Sequence, residues 1–481
     1  MKGIFQIRQM IHHRVDLWKL LSGPVGFALT TVLLTPFLEF RGAAAVGCAV
    51  WMAIWWIFRP VHIAVTSLLP IVVNSAFTLI PNPHVISQYF TDIVVLLLGG
   101  DLICMAWHTT GLDRRISLRA ICFIGTSLTQ QIIVWFGASV FLSAFLPNTV
   151  VATIFCPIAV GMLNFIGEKN ISTSKVAIPI LLAIGWGSGI GGVGSPIGSP
   201  ANLVAISYFE QVSGHEFMYV DWMRIFVPLL LLVFAFNLLF LLRMPTSVKT
   251  LPGAREEFRR QYRELGPMRP GERTAFWLFM LAILLAFIRP LYADLLPGLK
   301  PSYVFLIIGL LMFMLHDEKG RVFLEWNYAE SHAMWGIMIM ASSGLALGRM
   351  IIETGAVHRL ADYFAALSLD GGFMTMLLFC AFAVFMSEMS SNTGAASICL
   401  PMVVSICQAV SLNPTPYIIA TVAACSCAYI LPVTTRAIPV GHGLSAEVQM
   451  KEGLKLSIMT MLYNTVLCYA ISKLLPGLMT F

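Results

Sequence analysis

The run Met386-Ser387-Glu388-Met389-Ser390-Ser391-Asn392-Thr393-Gly394 decides how the rest of the chain is read. Hydrophobic sequence flanks it on both sides, yet it gathers small polar side chains and a glycine. Serine, asparagine and threonine compete with the helical backbone for hydrogen bonds. Such a cluster therefore suits a bare turn between two helical arms, not a helix interior. A second copy lies in Leu146-Pro147-Asn148-Thr149-Val150: Asn148 and Asn392 are 244 residues apart (392 − 148). Gly111 and Gly355 keep that spacing, each followed by a basic residue, Arg114 and His358, and so do Pro157 and Pro401. Matched landmarks at one offset predict an internal duplication with one Asn-Thr turn per half.

Composition narrows the class. Of 481 residues, 58% are hydrophobic and only 11% charged, whereas soluble domains carry about a quarter charged residues. Successive runs of roughly 16–20 apolar residues can each span a hydrocarbon core about 30 Å thick. The predicted class is an all-α polytopic membrane protein. The net charge of +6 comes from bases in short segments between spans, the usual cytoplasmic-loop bias, so no nucleic-acid partner is implied. The ten cysteines are scattered through apolar runs and read as small buried hydrophobes.

Lys2, Arg8, Arg14 and Lys19 place the N-terminus in the cytoplasm. Spans are expected at 18–37, 43–58, 60–80 and 92–110, then an interfacial basic segment with Asp113, Arg114, Arg115 and Arg119. The first Asn-Thr region, 127–166, is too long for one span, and Lys169 and Lys175 in its exit loop suggest a re-entrant hairpin. A span over 176–207 must be broken, because no continuous helix tolerates Gly191-Gly192-Val193-Gly194-Ser195-Pro196-Ile197-Gly198-Ser199-Pro200. A span at 224–243 ends the first half (1–243), and a basic cytoplasmic linker (244–273) precedes the second (274–481). There the pattern repeats: spans at 275–292, 301–316 and 333–352, an outer segment with Glu353 and Asp362, a hairpin at 371–411, a broken span at 415–445, and a last span at 455–475. This makes about eleven spans and two hairpins, with the C-terminus outside. The halves start from opposite sides, which predicts an inverted repeat whose ligand sites lie where broken helices meet near the midplane.

Two hairpin tips and two unwound helix middles each expose backbone groups without intrahelical partners. Helix N-termini favour anions, while unwound carbonyls and hydroxyls suit sodium. Asn-Thr turns facing one another would suit a ligand with a negative group at each end, such as a small dicarboxylate.

Ser391-Asn392-Thr393, Pro147-Asn148-Thr149, the run Gly194-Ser195-Pro196-Ile197-Gly198-Ser199-Pro200-Ala201-Asn202 and Leu431-Pro432-Val433-Thr434-Thr435 together resemble the divalent anion/sodium symporter (INDY-type) family. So does the stretch from Trp55-Trp56 to Ala64-Val65-Thr66-Ser67-Leu68-Leu69-Pro70. The resemblance covers nearly the whole chain. It implies a homodimer in the cytoplasmic membrane, with a scaffold and a moving transport domain that carries C4–C6 di- or tricarboxylates by an elevator motion. Carried over by motif, one sodium cluster would be Ser143, Pro147, Asn148 and Gly198, and the other Ser387, Ser390, Ser391, Asn392 and Thr434. Substrate carboxylates would meet Asn148, Thr149, Ser199, Ser391, Asn392, Thr393 and Thr435.

The sequence departs from that pattern twice. Pro147 stands where the family's first tip has a serine, and Arg436-Ala437-Ile438 replaces the usual Pro-Pro-Asn after the second Thr. An ionisable residue near the midplane is expensive and marks function by default. Arg436, helped by His442, is therefore read as a fixed charge replacing at least one cation and meeting the substrate, which predicts sodium-independent exchange of dicarboxylates. The competing reading pairs Arg436 internally with Glu388. Asp101 and His108 share one span and read as packing groups before a proton relay. No H-E-x-x-H or nucleophile–base spacing supports an enzyme, and no G-x-x-x-x-G-K-[ST] loop supports ATP use. A sodium-coupled symporter, a channel and an oxyanion efflux protein remain as alternatives. No cofactor is expected, and whether sodium binds stays open.

Overall fold

In lipid, a chain can satisfy its backbone only as helices or a closed barrel. The computed structural model describes residues 17–121, 125–168, 170–245, 254–356 and 371–478. Lys2, Arg8, Arg14, Lys169 and Asp362, on which sidedness was partly read, and His358, a landmark of the repeat, lie outside them. Among the described residues, nine helices are long and apolar enough to cross a membrane, and further apolar helices are shorter. The chain is an all-helical polytopic membrane protein.

The helix Leu17–Phe58 turns sharply at Glu39, whose φ of 57° no right-handed helix contains, so it forms the two expected spans. Its arms fold back on each other: Trp55 Nε1 donates to the Leu20 carbonyl at 3.1 Å, and a Cβ on Gly47 would lie 2.6 Å from Thr31 Oγ1. The third span is not continuous as expected. It splits into Ile63–Thr66 and Leu69–Phe77, with Pro70 in the first turn of the second piece, where the missing N–H costs nothing.

Each Asn-Thr region is a pair of helices around a short break: Leu128–Ser143 with Asn148–Phe165, and Phe373–Met389 with Asn392–Ala409. The second helices begin and end 244 residues apart (392 − 148, 409 − 165). Both broken spans are interrupted where glycine and proline predicted. The first runs Ala177–Gly191, then a 3-10 turn, then Pro200–Ser213. The second runs Thr415–Cys425, an irregular stretch, Thr434–Arg436 and Ala437–Gly441. The later arms cross between the halves. Pro200–Ser213 packs on Asn392–Ala409 and Thr415–Cys425, while Ala437–Gly441 packs on Asn148–Phe165 and Ala177–Gly191. This exchange brings both breaks and both tips together.

The basic connector proves more ordered than a plain linker. It contains the helix Ala254–Glu264. Arg115 is buried beside it, with Nε 2.8 Å from Glu272 Oε2 and further bonds to the carbonyls of Leu265, Gly266 and Pro267. On the other side of the chain's midpoint, the buried Arg289 forms a two-pronged pair with Glu216 at 3.1 and 3.0 Å. Bidentate arginine pairs fix orientation as well as contact, so both join distant parts of the chain rigidly.

Candidate functional site

The two tips share one hydrogen-bond pattern. Ser143 Oγ lies 2.7 Å from Asn148 Oδ1 and 2.7 Å from the Ser188 carbonyl. Ser387 and Asn392 repeat the pair 244 residues on: Ser387 Oγ lies 3.1 Å from Asn392 Oδ1 and 2.6 Å from the carbonyl of Cys425 in the second broken span. A serine in the last turn of one helix thus ties the asparagine opening the next to the neighbouring broken span.

Their caps differ. Ser391 Oγ accepts the Gly394 N–H at 3.0 Å, whereas Pro147 provides no side-chain cap. A serine cap contributes about 1 kcal/mol, so the first tip is less firmly held by its own residues. The breaks also differ. Asn202 spans the first, donating to the carbonyls of Gly192 and Ser195 at 2.7 and 2.8 Å. The second is built around Glu388, where the matching position of the first half holds Ala144 (388 − 244). Its carboxylate accepts the N–H groups of Tyr429 (2.6 Å), Ile430 (3.0 Å) and Leu431 (3.1 Å), and the Ser457 hydroxyl (3.2 Å). Glu388 is therefore the structural anion that holds the unwound stretch open.

A cavity of about 170 Å³ lies between the tips. It is lined by all eight residues from which substrate contacts were expected: Asn148, Thr149, Ser199, Ser391, Asn392, Thr393, Thr435 and Arg436. Arg436 is only 4% exposed. Its Nη2 donates to the Ser387 carbonyl at 3.0 Å, and its Nη1 lies 3.4 Å from Glu388 Oε2. The internal pairing weighed from the sequence is thus present, but incomplete: among the described residues, Nε and Nη1 have no hydrogen-bond partner. Buried guanidinium hydrogens on a cavity wall are suited to an anion, because leaving them unmet costs at least 1–3 kcal/mol.

Other expectations fare differently. His442 does not line the cavity, and its Nδ1 lies 2.9 Å from the carbonyl of Ile438 in its own helix. A second fixed charge at the site does not come from it. Asp101 and His108 form no relay: Asp101 lines the cavity, while His108 Nδ1 pairs with Asp113 Oδ2 at 2.9 Å. The sequence reading also missed the apolar walls, among them Phe145, Phe279, Ile337 and Met340. Nothing marks these apart from other lipid-length apolar residues.

The two cation clusters part company. Around Gly198, a Cβ would lie 2.5 Å from the Gly192 carbonyl oxygen and 2.9 Å from those of Ala144 and Ser143. Three carbonyls converge on a space that only glycine leaves open, with Ser143 and Asn148 beside them; those of Gly192 and Ala144 also accept from Asn202 and Ser195, which leaves each a second lone pair that would suit a sodium ion. In the second cluster, Ser390 Oγ donates to its own helix at the Met386 carbonyl, and the Ser387 carbonyl is already taken by Arg436. Thr434, at φ 52°, turns the backbone in a left-handed step beside it. A guanidinium stands here among the groups from which the second cation site was expected.

The family model described as "sodium:sulfate symporter transmembrane region" matches residues 15–475. The chain belongs to this family. It is accordingly a membrane transporter and not an enzyme. Among its relatives, the sodium-dependent dicarboxylate transporter SdcS of Staphylococcus saprophyticus is 30% identical over 441 residues, covering 88% of this chain and 85% of that one. The protein of the same name from Staphylococcus aureus is 29% identical over 477 residues, covering 95% and 92%. The solved structure of the YdaH transporter of Alcanivorax borkumensis has a TM-score of 0.54 at 13% identity, covering 81% of this chain and 86% of that one. That likeness is one of fold alone.

Proposed function

We propose that this transporter carries small dicarboxylates of the succinate, malate and 2-oxoglutarate type, exchanging one for another across the cytoplasmic membrane. The observation that carries the reading is the buried guanidinium of Arg436, whose Nε and Nη1 have no hydrogen-bond partner among the described residues, in a residue on the wall of a cavity that also holds both Asn-Thr tips. One carboxylate meets Asn392, Thr393, Ser391 and Arg436, with Thr435 beside them. The other meets Asn148, Thr149 and Ser199. The names of the staphylococcal relatives support the substrate class.

Arg436 takes the role of the second cation, which leaves the first cluster as the only place for sodium in this reading. The matched tips and crossed broken helices support two inverted repeats, and the family resemblance supplies the elevator motion, the homodimer and the cytoplasmic N-terminus. Asn392→Ala tests the site directly. A hydrogen bond to a charged group is worth about 1.5–3 kcal/mol, so succinate affinity of the folded variant falls about tenfold to a hundredfold, read by calorimetry in detergent. Unchanged affinity would remove this tip from the site.

A second reading, sodium-coupled symport, is favoured by the carbonyl cradle at Gly198 and by the sodium dependence in the relatives' names. The inverted repeat has its own test. Val150→Cys and Gly394→Cys, in a cysteine-free background, are labelled from opposite faces of the membrane as the carrier is driven between its end states. Labelling of both from one face under every condition would dismiss inverted repeats.

A further inference from the structure

Asp101 sits on the helix Asp92–Thr110 and is 6% exposed. Among the described residues it is the only carboxylate lining the cavity, as Arg436 is the only guanidinium. Its Oδ2 accepts the Met334 N–H at 2.8 Å, which fixes the side chain at the start of the helix Trp335–Glu353. Among the described residues that is its one hydrogen bond, and Oδ1 accepts none. Met334, Ile337 and Met340 then follow one face of that helix along the cavity wall, and Met340 Sδ lies 3.9 Å from Ser391 Oγ at the second tip. At 1.5 Å per residue, this places Asp101 about 9 Å along the helix from that tip.

A fixed carboxylate is a poor neighbour for a plain dianion, because like charges repel strongly where water is scarce. It becomes favourable if the ligand brings a cation of its own. We infer that Asp101 is a specificity-determining residue that reads a positively charged substituent between the two carboxylates, so that the site prefers a 2-aminodicarboxylate to an unsubstituted one. The tips and Arg436 hold the carboxylates, and the ammonium donates to Oδ1 of Asp101. A hydroxyl at the same carbon donates a hydrogen bond without the charge and ranks between the two. This inference rests on the dicarboxylate reading above.

The test uses the full chain in proteoliposomes. Counterflow of labelled succinate is competed by unlabelled L-aspartate, L-malate and succinate, and uptake of labelled L-aspartate is measured separately. The expected result is that aspartate competes at least tenfold better than succinate, with malate between them. Asp101→Asn keeps an acceptor for the Met334 N–H and should bring the aspartate-to-succinate ratio close to one. Should the variant fail to fold, uptake of labelled aspartate by the unmodified chain decides the matter. Succinate transport without aspartate competition overturns the inference and leaves the dicarboxylate reading standing, as does an unchanged ratio in Asp101→Asn. Failure of all three ligands to compete or move overturns the parent reading.

Discussion

Proteoliposomes loaded with unlabelled succinate are expected to take up labelled succinate at least a hundredfold faster than empty ones, with little change when sodium is replaced by choline. The reason lies in what the empty site would carry. Glu388 stands 3.4 Å from Arg436 Nη1, so the net charge that moves is smaller than a lone guanidinium would give. Yet Glu388 is already held by three backbone amides and Ser457, and Nε and Nη1 of Arg436 remain without an acceptor. Moving these charged donors through low dielectric unmet costs several kcal/mol. At about 1.4 kcal/mol per factor of ten, that slows the empty return by a hundredfold or more. A bound dicarboxylate would supply the missing acceptors, so the loaded carrier would move in both directions. Robust sodium-driven uptake into empty vesicles would sink the exchange reading and favour symport through the cradle at Gly198.

Arg436→Gln should reduce succinate counterflow by at least a hundredfold. The substitution removes two hydrogen bonds to a carboxylate, each worth about 1.5–3 kcal/mol, together with the charge that strengthens them. Folding should survive, because Glu388 keeps its amide and hydroxyl donors, and a monodisperse gel-filtration profile checks this. Arg436→Lys keeps the charge without the planar fork and should fall between the two. Counterflow in Arg436→Gln within threefold of the unmodified protein would take Arg436 out of the binding site.

Much of this architecture was legible in the sequence because the constraint is local. A cluster such as Ser390-Ser391-Asn392-Thr393 inside apolar sequence cannot continue a helix without leaving polar groups competing with the backbone, and Gly191 to Pro200 cannot form one at all. The helical polytopic class and the positions of both tips and both breaks follow from that. The division of the third span at Ser67-Leu68 was missed, since Pro70 follows a short apolar run that could equally well have continued.

What the sequence determined by itself, then, was where the chain spans and where it must break. Backbone hydrogen bonding acts over a few residues, and lipid leaves no alternative partner. Tertiary structure alone decided which polar groups face one another. It exchanged the arms of the broken helices between the halves, gave Glu388 to the amides of residues 429–431, left Nε and Nη1 of Arg436 without an acceptor, kept His442 out of the cavity wall and set Asp101 on it. Those outcomes depend on packing between segments tens to hundreds of residues apart, where an identical side chain can be a structural anchor or a ligand contact according to what stands opposite it.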